Sequence, residues 1–559
     1  RTSVHGYVRN AATGEPLARA LVRIEGDAET GALTDGSGRF ELEGVPVGPQ
    51  TFRLRKPGFH DRLYASEEMG YESDGPAHNV LVVAGMGDLE FTLAPAPSIH
   101  GRVELTTGDP AVGLEVVLLE QMVRNGRAVW TQTETTKTNS QGGYRFAGLA
   151  EGVYALATLP AFESEPVVTA IAAGRGAAVT RAGYPNIYYP QAREFSGATH
   201  IRLGAGDQME ANMLLPLETF STVTATALLP GGHPFSGAQG EGFFQGVTTA
   251  KILDSTGRAL PYPCEFDQAT HSFQASLPDG IYTLSAGALV NDPDRSRDLS
   301  INGGRMRGQT MLTGFAEFAV EGKPIANLHV PLGQSPGWPI HLRVAQNSSP
   351  ALQARAGSAR GLQDLVTVTA NQAGGPGLSG EGGAEEQTAA EAGPDLLLLT
   401  MSRSVPMWLS TQVNDRSVCL DSFIAGSVNL AREPLSVPMG GSAPPMELML
   451  RDDCARLSLE LPAGLSAFLP GDEPFYTVYI VPEFDTTADI PPMTIHPSSG
   501  RTLEVSGLTP GSYRVYTFRE PIRLEYRNPA ALSALPAPGQ QISLSAGAQG
   551  QLVLEVPAR

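Results

Sequence analysis

Thr34-Asp35-Gly36-Ser37-Gly38-Arg39-Phe40-Glu41-Leu42-Glu43-Gly44-Val45-Pro46-Val47-Gly48 decides how the rest of the chain is read. Asp35 to Gly38 is a tight turn, because Gly supplies positive φ and Asp or Ser bonds the local backbone. Phe40 and Leu42 then alternate with Arg39, Glu41 and Glu43, the period-two pattern of a strand buried on one face. Gly44 to Gly48 turns the chain again, and Phe52 and Leu54 alternate with Thr51, Arg53 and Arg55. The unit reads as a β-hairpin with a longer loop.

The same cassette recurs. Tyr144 to Gly152 spans the same eight positions as Phe40 to Gly48, and so does Leu503 to Gly511; a copy at Phe273 to Gly280 is one residue shorter. A second repeat marks a boundary: Ser3-Val4-His5-Gly6-Tyr7-Val8 returns 95 positions later as Ser98-Ile99-His100-Gly101-Arg102-Val103, just after Pro95-Ala96-Pro97. Fixed self-similarity means one fold used several times.

A chain of 559 residues is too long for one core, and at roughly 100 to 150 residues per domain it holds about four or five. No stretch keeps a long 3.6-residue period. Together these predict an all-β protein of about five tandem Ig-like or transthyretin-like antiparallel β-sandwich domains. The expected divisions are 1–96, 97–218 with an insertion at 161–198, 219–334, 335–452, and 453–559. Within the fourth, 372–393 is rich in Gly, Ala and Glu and is expected to be a flexible loop.

The formal charge of −19 argues against nucleic acid or an anionic membrane surface as partner, since both need clustered Lys and Arg. No apolar run reaches the ~20 residues of a membrane helix. The chain opens at Arg1 without an initiator Met and enters a strand at once, as expected of a secreted or cell-surface protein whose signal peptide has been removed. Of three cysteines, Cys419 and Cys454 are the better disulfide pair because both flank the last module boundary; Cys264 is left as a free thiol or small hydrophobe.

Two segments are candidate sites. Asp292, Asp294, Ser296 and Asp298 put oxygens at relative positions one, three, five and seven, the spacing of calcium loops. Arg297 replaces the usual Gly, Gly303 the usual Glu, and two Arg neutralise the carboxylates, so a solvated turn is preferred to a calcium site and no other cofactor is expected. Tyr184-Pro185-Asn186-Ile187-Tyr188-Tyr189-Pro190 is the densest aromatic cluster. Tyr184, Tyr188 and Tyr189 are candidates to stack on a sugar or fill a partner's pocket; the preferred reading is an arm folded on its own module. No His-Glu-x-x-His helix, Gly-x-Ser-x-Gly elbow or phosphate loop occurs, so no catalytic residue is nominated.

Ala12-Thr13-Gly14-Glu15-Pro16-Leu17, Thr34 to Phe40 and Lys56-Pro57-Gly58-Phe59 resemble the carboxypeptidase regulatory-like domain, a transthyretin-like sandwich. Gly511 to Tyr516 and Leu524 to Pro529 are similar to the end of large secreted bacterial proteins built from tandem copies. Gln50 departs from the pattern, standing where Tyr154, Tyr282 and Tyr513 stand in the other copies, so the first cassette is expected to pack differently. The resemblance implies export and an accessory or structural role without activity. Internal isopeptide links, known in related pilus and adhesin sandwiches, need a strand lysine; with only Lys56, Lys137, Lys251 and Lys323, most modules must do without one.

The resulting expectation is an exported, non-enzymatic structural protein, a cell-surface or extracellular building block. It would form a homo-oligomer or filament through strand edges, by way of the N-terminal strand 1–8 or the insertion 161–198. The alternative is adhesion to glycans, peptides or other surface proteins through the Tyr184 to Tyr189 arm.

Overall fold

The computed structural model describes residues 1–26, 31–61, 77–163, 167–169, 178–235, 248–291, 299–301, 304–306, 309–334, 337–376, 378, 386–399, 405–437, 442–462, 476–495, 501–519 and 522–556. Nearly all regular structure is β, arranged as paired sheets around five separate large apolar cores. The first sandwich shows the plan. One sheet runs Arg39–Val45, Thr2–Asn10, Leu89–Pro95, Phe59–Asp61, and the facing sheet runs Gly31–Leu33, Leu21–Ile24, Gly48–Arg55, Ala77–Val82. Phe40, Phe52 and Phe91 meet between them, all at most 2% exposed.

Each sandwich closes by pairing its first strand in parallel with one at or near its end. Thr2–Asn10 lies beside Leu89–Pro95, Ser98–Leu105 beside Gln208–Glu210 and Met213–Leu215, and Glu218–Leu228 beside Ile325–Pro331. Trp338–Val344 beside Met446–Arg451 and Ala455–Glu460 beside Gln549–Val553 complete the series. The repeated glycines follow from this closure. A Cβ on Gly6 would lie 2.4 Å from the Leu89 carbonyl oxygen, and one on Gly101 would lie 1.9 Å from that of Ala211. Only a residue without a side chain lets the closing strand come so near.

The cassette is not a hairpin. Arg39–Val45 pairs with Thr2–Asn10 in one sheet, whereas Gly48–Arg55 pairs with Leu21–Ile24 and Ala77–Val82 in the other. The same split holds for 143–147 and 152–158, for 272–277 and 280–291, and for 502–508 and 511–518. Both strands bury alternate residues in one core, and Gly44, Gly148 and Gly507, each with φ between +72° and +78°, turn the chain over the sandwich edge. Asp35 Oδ1 accepts from the backbone N–H groups of Ser37 and Arg39 at 2.8 and 2.9 Å, and Asn139 Oδ1 accepts from those of Gln141 and Gly143, so the turn before the crossing is the same in both copies.

A tyrosine fixes the crossing. Tyr154, Tyr282 and Tyr513 each donate their hydroxyl to the carbonyl four residues back, at Ala150, Pro278 and Thr509. Tyr154 and Tyr513 are 1% exposed, and the arrangement is that of a tyrosine corner. In the first sandwich the half-buried Gln50 holds this place. Removing the hydroxyl in Tyr513→Phe leaves the Thr509 carbonyl without that donor and should destabilise the fifth sandwich by about 1–2 kcal/mol. Thermal melts of the variant would read this, and an unchanged melting temperature would deny the tyrosine its role.

The insertion pairs within the chain, and the expected flexible loop at 372–393 is corrected. Strands at 161–162, 167–169 and 178–184 within the insertion do not stand free: Ala178–Tyr184 pairs with Glu218–Leu228 and extends the third sandwich. Of the expected flexible loop 372–393, Gln372 ends a strand, 386–388 and 390–393 are strands, and Leu378, its one large apolar side chain, is 1% exposed. Leu378 packs on Val117, Leu119 and Trp130 of the second sandwich, an apolar contact that a solvated loop would not make.

Candidate functional site

The feature that joins sandwiches is one long hairpin, Glu115–Arg124 and Arg127–Lys137. Its tip is Asn125-Gly126 with φ of +49° and +70°, the two-residue turn whose backbone twist matches the flanking strands. Val116 and Leu118 face the core of the second sandwich, while Val117 and Leu119 face a separate cluster outside it. Both faces are therefore covered.

The tip sits in a notch between the fourth and fifth sandwiches. Asn125 Nδ2 donates to Ser410 Oγ at 2.7 Å, and Arg127 Nη2 donates to the Ala431 carbonyl at 2.9 Å while its guanidinium lies 3.4 Å from the centre of the Trp408 ring. From the fifth sandwich, Arg527 closes over the turn. Its backbone N–H donates to Gly126 O at 3.0 Å, its Nε to Asn125 O at 2.9 Å and its Nη2 to Ala488 O at 2.8 Å, and its Nη1 donates to Thr486 O. The Tyr526 ring covers Gly126 so closely that a Cβ there would lie 2.5 Å from a ring carbon. Glu120 on the same hairpin pairs with Arg523.

The electrostatics follow from burial. Arg127 is pushed down to about 10, first by burial and then by the neighbouring Arg527 charge. Burial pushes the Asp489 carboxyl above its usual range, although it accepts from Tyr526 Oη at 3.0 Å. The fourth and fifth sandwiches also bond directly. Thr411 N donates to Thr487 O and Asp489 N to Thr411 O, both at 2.9 Å; Thr509 Oγ1 donates to Leu420 O at 2.6 Å; and Arg432 pairs with Asp485 at 2.6 Å. A disulfide joins Cys419 to Cys454 with their Cα atoms 5.8 Å apart, and Cys264 is free.

The residues singled out in the sequence fall elsewhere. Tyr188 is 4% exposed and meets Phe195 edge-on with ring centres 5.4 Å apart; Tyr184 and Tyr189 pack against the core of the second sandwich. Tyr188 is thus filling between strands, while Tyr184 and Tyr189 are half-buried. Asp292, Asp294, Ser296 and Asp298 lie outside the described residues. Among the described residues no group of three or more His, Cys, Asp or Glu side chains is placed to hold a metal ion. No helix among them is long and apolar enough to cross a membrane. The hairpin tip and its receptor were missed, although Asn-Gly between two apolar runs is a strong hairpin signal.

Residues 3–74 match the carboxypeptidase regulatory-like domain family. No curated protein matches the chain. Similar solved structures include the Bacillus anthracis TIE protein, 14% identical over 60% of this chain and 51% of that one, with a TM-score of 0.16. The chain thus spans about half the length of that protein. GBS52, the minor pilin of Streptococcus agalactiae, is 14% identical over 39% of this chain and 96% of its own, with a TM-score of 0.19. BcpA, the major pilin subunit of Bacillus cereus, is 10% identical over 60% of this chain and 99% of its own, with a TM-score of 0.15. Likenesses this low do not bear on what the chain does.

Proposed function

We propose that this chain is an exported, non-enzymatic structural protein, a braced block of sandwiches that associates with further copies of itself. The observation that carries the reading is the hairpin tip held between two other sandwiches. Its turn carbonyls and its Asn125 amide are spent on neighbours, and Arg127 is anchored by one hydrogen bond to Ala431 O and by the Trp408 ring. Polar groups committed to one another hold modules in register and leave little for turnover. The disulfide between Cys419 and Cys454 supports an oxidising, extracytoplasmic setting.

Both contacts expected from sequence are used inside the chain, since Thr2–Asn10 is flanked on both sides and Ala178–Tyr184 is paired with Glu218–Leu228. Self-association is better supported at Ala77–Val82. Among the described residues that strand pairs only with Gly48–Arg55, and it carries Leu81 at 61% exposure with Val47 at 55% and Val83 at 44% nearby. A strand that ends its sheet among the described residues and exposes apolar side chains is a template for a strand from another molecule.

Light scattering on a sizing column, over a wide range of concentration, should show species larger than the monomer. Leu81→Lys should weaken this association at least tenfold, about 1.4 kcal/mol. A protein that stays monomeric throughout would refute the self-association.

A further inference from the structure

Between the hairpin tip and the fifth sandwich lies a cavity of about 330 Å³, at the lower end of the range of small-molecule sites, about 300–1,000 Å³. One wall is apolar, made by Phe484, Tyr516, Tyr526 and Leu532. The lining also carries Arg127, Glu483, Asp485, Arg514 and Arg527, and these charges do not cancel. Glu483 is taken by Arg514, whose Nε and Nη2 reach one of its oxygens at 2.8 and 2.6 Å. Asp485 is taken by Arg432 at 2.6 Å. Arg127 and Arg527 remain, and among the described residues neither has a carboxylate within ion-pair distance.

These two guanidiniums differ in what they have left to give. Arg527 spends its side chain on the carbonyls of Asn125, Thr486 and Ala488. Arg127 makes a single hydrogen bond, to Ala431 O, and stacks on Trp408, so most of its donors are unspent. A half-buried cation with free donors, facing a cavity beside a second cation in a chain of net charge −19, is a local inversion of sign. A guanidinium fork matches the two oxygens of a carboxylate.

We propose that this cavity binds a small organic carboxylate with a flat apolar body, the carboxylate on Arg127 and the body against the Tyr516, Tyr526 and Leu532 wall. Such a ligand would touch the second and fifth sandwiches at once and tighten their junction. The inference goes beyond the structural role proposed above, and a chain that never self-associates would leave it standing.

The test is titration calorimetry on the full chain with three probes: benzoate, its neutral isostere benzamide, and sulfate. Benzoate is expected to bind saturably at one site, with benzamide and sulfate at least tenfold weaker. Arg127→Lys should keep the charge, lose the fork and weaken benzoate several-fold. Leu532→Trp fills the apolar wall without touching a charge, and should abolish binding while the melting temperature holds. Benzamide binding as tightly as benzoate would reduce the site to an apolar void, and sulfate binding as tightly would reduce it to a charged patch. Benzoate binding that survives Leu532→Trp, or no saturable binding, would also overturn the proposal.

Discussion

Gly126→Ala should separate the second sandwich from the fourth and fifth while each keeps its fold. The residue sits at φ +70°, where an L side chain costs about 1–2 kcal/mol. The new methyl would lie 2.5 Å from the Tyr526 ring, and overpacking of that kind costs about 1–3 kcal/mol. Tyr526 cannot retreat cheaply, because it is 7% exposed, packs with Tyr479 and donates to Asp489. The cheaper response is for the tip to leave, giving up the bonds from Arg527 to Asn125 and Gly126. The summed penalty, about 2–5 kcal/mol, is comparable with what a few hydrogen bonds of about 1 kcal/mol and one stacked guanidinium contribute. Small-angle scattering should show a longer particle, and amide exchange should rise at 124–127 and around Thr486 to Asp489. Circular dichroism should not change. Tyr526→Ala in the same chain makes room for the methyl and should partly restore the compact form. Unaltered scattering and exchange in Gly126→Ala would mean that the tip braces nothing.

How far the sequence reveals this depends on what each pattern encodes. Alternation at Phe40 and Leu42 says which face is buried, and Gly44 to Gly48 says that the chain turns; neither says whether the next strand is a neighbour or lies across the core. That is why a crossing between sheets reads as a hairpin. The Tyr154, Tyr282 and Tyr513 positions carried the missing information, since a tyrosine at the start of the second strand bonds back over an edge. Gly6 and Gly101 were legible as a repeat, but the cause, a closing strand about 2 Å from where a Cβ would be, is three-dimensional.

The braced junction was encoded differently. Leu114 to Leu119 and Tyr476 to Val481 are nearly unbroken apolar runs, and strands of that kind are covered on both faces. In both cases the second cover comes from a distance: Leu378 reaches the first, and Leu524 with Tyr526 reach the second. One leucine in a Gly-rich stretch is a faint signal. The Tyr184 to Tyr189 cluster left two readings open, because density of aromatics does not distinguish a presented surface from the filling between two strands.

Reduction of the Cys419–Cys454 bond should lower the melting transition of the fourth sandwich by on the order of 15 °C, for a loss of about 4 kcal/mol. The bond joins residues 35 apart in sequence, so breaking it returns to the unfolded chain the freedom of a loop holding Cys419–Ala425 and Met446–Arg451. Both strands are structural: they pair with each other, and Met446–Arg451 also closes the sandwich against Trp338–Val344. The bond lies where the fourth sandwich gives way to Ala455–Glu460 of the fifth, beside the bond from Thr509 to Leu420, so the junction loosens with the fold. Cys454→Ser should reproduce the loss without reductant, and Cys264→Ser, at the unpaired thiol, should not. Thiol titration of the unfolded, unreduced protein should count one free cysteine, rising to three after reduction. Three from the start would remove the bond, and with it the physical support for an oxidising home.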